Sequence, residues 1–224
     1  MTKSVAIIGA SRGIGLGFAR AYAGEGWNTH VTTRAIGEPG ELGKIKGNIT
    51  IHNLDVRNSQ QIAALAEKIT DIGIDVLIHN AGVNDTSMQV EEVMKINAEA
   101  PFDVISALLP AIMRGSMKKV AILTSQMGAR NGGATPSSTY GKSKCALNDR
   151  FREIEMNWRE LGISSIVFHP GWVATDMGGR FAPVSVEESV NGMRNVIETL
   201  TSADSGSFFN WKGKKHPWLS LIHI

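Results

Sequence analysis

A single cysteine, Cys145, excludes an internal disulfide and suits a reducing compartment. No charge dominates either: 23 basic residues face 21 acidic ones, and a net charge of +2 leaves no electrostatic footprint for nucleic acid. No apolar run reaches the ~20 residues of a membrane span, and Met1-Thr-Lys-Ser leads straight into a strand pattern rather than an apolar signal segment. A cytoplasmic protein without nucleic-acid or membrane partners is expected. The six histidines lack paired helical spacing and a carboxylate cluster, so no metal site is expected. Internal repeats and low-complexity segments are missing as well.

What the chain does have is alternation. Short β-rich runs at 4–8, 28–33, 48–54, 76–79, 120–123, 165–168 and 207–209 alternate with helical patterns at 16–25, 60–70, 90–113, 143–161 and 186–200. Right-handed crossovers between parallel strands then predict an α/β fold, a single-domain Rossmann-type doubly wound parallel sheet of about seven strands with helices on both faces. The domain is expected over 1–218. The apolar tail 219–224 reads either as a strand docking at a subunit interface or as translated cloning sequence.

Gly9, Gly13 and Gly15 lie where the first strand turns into a helix, a place where glycine lets backbone approach a pyrophosphate at a helix N-terminus. The same residues satisfy G-x-S-x-G, the hydrolase nucleophile elbow, with Ser11 as nucleophile. That elbow needs oxyanion donors from an earlier βα loop, and no strand precedes Ser4. Further along, Ser125 and Tyr140-Gly-Lys-Ser-Lys144 supply a hydroxyl, a phenol and an ammonium that could meet one carbonyl oxygen, and Tyr140 and Lys144, four apart, share a helix face. An ammonium beside a phenol is expected to pull the Tyr140 pKa down toward working pH. The second strand ends in Thr32-Thr33-Arg34, with a cation where an NAD-preferring site carries a carboxylate; Arg12 adds a second cation. NADP(H) is therefore expected over NAD(H), which stays possible.

Taken in order, these motifs resemble the short-chain dehydrogenase/reductase family, across nearly the whole chain. Ile8 stands where the family usually has Thr before the glycine loop, and His79 where the N-N-A-G motif has its first Asn. Carried over residue by residue, the resemblance implies a catalytic tetrad of Asn97, Ser125, Tyr140 and Lys144, in which Lys144 also bonds the nicotinamide ribose and Asn97 holds a water. It implies coenzyme contacts at Gly9, Ser11, Arg12, Gly13, Ile14, Gly15, Arg34, Asp55, Val56, Asn80, Ala81, Gly82, Tyr140, Lys144, Pro170, Gly171, Val173 and Thr175, with Asp55 holding the adenine amino group. Substrate would meet Ser125, Met127, Tyr140, Trp172 and Met177, in a pocket shaped also by Thr135 and the segment 180–183.

Within the family, the His169–Gly179 segment and the Ser205–Trp211 ending resemble the C-factor and sniffer carbonyl-reductase branch. That branch implies NADPH-dependent reduction of a small carbonyl, or oxidation of the alcohol. It also holds a signalling protein, so a dinucleotide-binding signalling role with little turnover is the rival expectation. A homodimer or homotetramer packed through 90–113 and 143–161 is implied too.

Overall fold

The computed structural model describes residues 2–131 and 136–220. Strand β1 (Ser4–Ile8) leads into helix α1 (Gly13–Gly24), followed by β2 (Asn28–Thr33), β3 (Ile49–Asn53), α2 (Ser59–Ile69) and β4 (Val76–His79). Next come α3 (Val90–Met94), a π-helical turn Lys95–Glu99, α4 (Ala100–Arg114), β5 (Lys119–Leu123) and the short β6 (Arg130–Asn131). The rest comprises α5 (Thr139–Glu160), β7 (Ser164–His169), α6 (Val186–Thr199), β8 (Ser207–Asn210) and the two-residue β9 (Leu219–Ser220).

Seven strands pair in parallel in the order β3-β2-β1-β4-β5-β7-β8. The strand order reverses between β1 and β4, so the loops after them depart to opposite faces and leave a crevice at the carboxyl edge. Period-two alternation sends Ala6 and Ile8 to one face and Val5 and Ile7 to the other. The first face packs with Leu65 of α2, Phe102 of α4, and Phe151 and Trp158 of α5; the second packs under Phe18 of α1 and Met193 of α6.

Local chemistry sets the helix starts. Asn58 caps α2 by accepting from the Gln61 amide at 3.1 Å, and Ser185 with Glu188 forms a capping box on α6. Ser138 caps α5 by accepting from the Gly141 amide at 3.0 Å. Helix α5 therefore starts at Thr139, ahead of the expected 143, and Tyr140 sits in its first turn.

The single helix expected at 90–113 is broken by the π-helical turn. Pro101 has no N–H to donate to the Asn97 carbonyl four residues back, and the helix accommodates one extra residue there. By length and composition alone, Val90–Arg114 is the one described helix long and apolar enough to cross a membrane, a test that a core helix also passes; 61% of its most apolar window is buried in the fold. Leu219 and Ser220 pair in parallel with Arg130 and Asn131. Thr135 and residues 221–224 lie outside the described residues.

Candidate active site

The turn after β1 is drawn tight from both sides. Gly9 donates its amide to Thr32 Oγ1 at 2.8 Å, Asn80 Nδ2 donates to the Gly9 carbonyl at 2.6 Å, and the Ala81 amide reaches the Ile8 carbonyl at 2.8 Å. At φ +83°, Gly9 takes a conformation that side chains rarely adopt, and a Cβ there would lie 2.8 Å from Ala81 Cα. A Cβ on Gly15 would meet the Gly9 carbonyl at 2.1 Å. Arg12 occupies the N-cap of α1 with no side-chain cap, so the first-turn amides of a twelve-residue helix are left for an anion. This cradle fits a dinucleotide pyrophosphate.

A cleft of about 220 Å³ opens above the turn. It is lined by Gly9, Ser11, Arg12, Gly13, Ile14, Arg34, Asp55, Val56, Asn80, Ala81, Gly82, Tyr140, Lys144, Pro170, Thr175 and Met177. Other expected residues stand behind or beside it. Gly15 and Asn97 are buried beneath, Val173 is bridged to Val184, and Gly171, at φ +92°, packs on Trp211. Ser125 is buried, while Met127 and Trp172 are about half exposed and do not line the cleft. Among the described residues no histidine hydrogen-bonds Ser11, so the elbow reading has no base.

Sequence reasoning missed several wall residues. Thr32, Arg57 and Asp176 line the cleft. Arg57 Nε lies 3.0 Å and Nη2 2.6 Å from the two Asp55 oxygens, which holds that carboxyl below its usual range, and Arg57 also pairs with Glu92 of α3. The spacing Asp55-Val-Arg57 was the available signal. No group of metal-ligating side chains occurs among the described residues.

At the far end of the cleft the Ser125 hydroxyl stands near the Tyr140 phenol and accepts the Met127 amide at 3.1 Å. Lys144 is buried and donates from Nζ to the Leu123 carbonyl at 2.9 Å, with Nζ 6.0 Å from the centre of the Tyr140 ring. The expected electrostatic lowering of the phenol is corrected here. Burial pushes the Tyr140 pKa up, and the nearby Ser125 hydroxyl offsets only part of this. The same burial lowers Lys144 to about 8. Asn97 is fully committed: Oδ1 accepts the Val83 amide at 2.8 Å, while Nδ2 donates to the Val83 carbonyl at 2.7 Å and to Ser143 Oγ at 3.0 Å.

A family model for short chain dehydrogenases matches residues 3–184. The chain belongs to the short-chain dehydrogenase/reductase family. As a short-chain dehydrogenase/reductase it is an NAD(P)-dependent oxidoreductase of the C-factor and sniffer branch. It is 38% identical over 167 residues to the C-signal of Myxococcus xanthus, a match covering 69% of this chain and 99% of the relative. Its fold resembles the NADPH-bound carbonyl reductase from chicken fatty liver, with a TM-score of 0.84 and 32% identity over 97% of this chain and 99% of the other. The carbonyl reductase Sniffer of Drosophila melanogaster gives a TM-score of 0.84 at 28% identity, over 97% and 100% of the two chains.

Proposed function

We propose that the protein is an NADPH-dependent carbonyl reductase, or alcohol dehydrogenase in reverse, with Tyr140 as its proton donor. The observation that carries this reading is the Tyr140 phenol, which lines the end of a cleft that starts on a dinucleotide cradle, with Lys144 Nζ 6.0 Å from its ring centre. Gly9, Gly13 and the first turn of α1 would hold the coenzyme, which when bound would supply the hydride. Ser125 Oγ orients the carbonyl oxygen and stabilises charge developing there. Tyr140 Oη delivers a proton to that oxygen in reduction and withdraws it in oxidation. Lys144 holds a positive charge behind the phenol, and Asn97 fixes the wall against which Lys144 stands.

Arg12 and Arg34, both on the cleft wall, support NADPH over NADH, since a guanidinium matches a phosphate bidentately. Membership of the carbonyl-reductase branch supports small or aromatic carbonyls as substrates. We further propose a cytoplasmic homodimer or homotetramer. The deciding measurement is loss of NADPH absorbance, with NADH in parallel, over a panel of aldehydes, ketones and diketones. Turnover of at least one class upholds the reading. The identity to C-signal favours a second reading, a dinucleotide-binding signalling protein; tight NADPH binding with silence across the panel would select it.

A further inference from the structure

The loop after β7 is built as a fixed platform. The Ala174 amide donates to the Val184 carbonyl at 2.8 Å, the Gly179 amide to the Thr175 carbonyl at 2.8 Å, and Trp172 Nε1 to the Gly178 carbonyl at 2.6 Å. Thr175 Oγ1 accepts the Gly178 amide at 3.1 Å, which closes a turn with Asp176 at its head. The platform rests on the glycine turn, because a Cβ on Gly13 would lie 3.2 Å from Thr175 Cγ2. From it Asp176 Oδ2 accepts Arg12 Nη1 at 3.0 Å, the only salt bridge among the described residues that joins the glycine turn to this loop. Both side chains are about three-quarters exposed, and both line the cleft.

We propose that Asp176 competes with a coenzyme phosphate for Arg12, and so tunes coenzyme discrimination while tying the loop to the glycine turn. The proposal rests on the reading of Arg12 as a phosphate-binding cation. A guanidinium engaged with Asp176 presents fewer donors, at a different angle, to an incoming phosphate. The phosphate carries more charge than a carboxylate, so it takes Arg12 over and leaves Asp176 unpaired. An exposed ion pair is weak, so Asp176 weakens phosphate binding without preventing it.

The test measures dissociation constants of NADPH and NADH for the wild type, Asp176→Asn, Asp176→Glu, Arg12→Ala and the Arg12→Ala, Asp176→Asn double variant. Asp176→Asn tightens NADPH by about 3- to 5-fold at low salt and less at high salt. Asp176→Glu keeps the wild-type value, and without Arg12 the Asp176→Asn gain vanishes. Kinetically, the gain lies in KM for NADPH rather than in kcat. An unchanged NADPH constant in Asp176→Asn, or the same gain without Arg12, overturns the proposal. If Arg12→Ala weakens NADPH and NADH alike, the 2′-phosphate reading of Arg12 fails, and competition is judged on both coenzymes together. Equal tightening of both, lost without Arg12, upholds the competition and overturns its part in discrimination, and no tightening of either overturns both.

Discussion

Asn97 and Ser143 are hydrogen-bonded at 3.0 Å, and Ser143 Oγ in turn donates to the Tyr140 carbonyl at 2.8 Å. The π-helical turn is thereby tied to the first turn of α5, the one that carries the phenol. Asn97→Ala leaves the part-buried Val83 amide and carbonyl without these partners, which costs about 1 kcal/mol. A drop in the urea midpoint is expected, with a loss of kcat larger than the loss of NADPH affinity. An unchanged kcat in a destabilised variant would restrict Asn97 to a structural part.

Tyr140→Phe removes the proton donor but keeps the ring packed against the cleft. Carbonyl reduction falls by at least about 100-fold, the scale of general acid catalysis, while NADPH affinity measured by fluorescence titration stays near wild type. Lys144, at about 8 in this geometry, loses its charge as pH rises through that value, so wild-type kcat declines on the alkaline side.

Arg34→Glu reverses the charge at the end of β2. KM for NADPH rises by at least about 10-fold and KM for NADH much less, because only the 2′-phosphate meets the reversed charge. Equal effects on both coenzymes count against NADPH preference.

Acid destabilises the fold through two buried imidazoles, His52 and His79, and the half-buried His169. Burial lowers His52 and His169 to about 4 and His79 to about 3, whereas the unfolded chain takes up protons near 6.5. The unfolded state then binds more protons between those values, so stability falls as pH drops from 6.5 toward 4. Each group contributes up to about 1.4 kcal/mol per pH unit in that window. Urea midpoints at pH 7, 5.5 and 4.5 read the slope, and His52→Gln flattens it.

Gly9→Ala drives a methyl onto Ala81 Cα at 2.8 Å in a left-handed conformation, with conformational strain of roughly 1–2 kcal/mol. Coenzyme binding by calorimetry is expected to fall below detection before the fold is lost. Wild-type affinity in this variant would remove the glycine turn from the coenzyme site.

The strands of the sheet and the edge that gathers the site were legible because they rest on local signals: buried β-branched runs, glycines at a strand end, and motifs that each follow a strand. The start of α5 and the break in the 90–113 helix were less so. Ser138 and Pro101 decide them through one hydrogen bond made and one forbidden.

By itself the sequence determined the parallel doubly wound sheet, the glycine turn after its first strand, and the placing of Tyr140 and Lys144 on one helix face, since these follow from periodicity and spacing along the chain. Only the tertiary structure decided how those groups are charged and paired. Burial, not the neighbouring ammonium, governs Tyr140, and Arg57 and Asp176 claim Asp55 and Arg12. Desolvation and ion pairing depend on which atoms lie within a few ångströms in space, and chain spacing does not fix those distances.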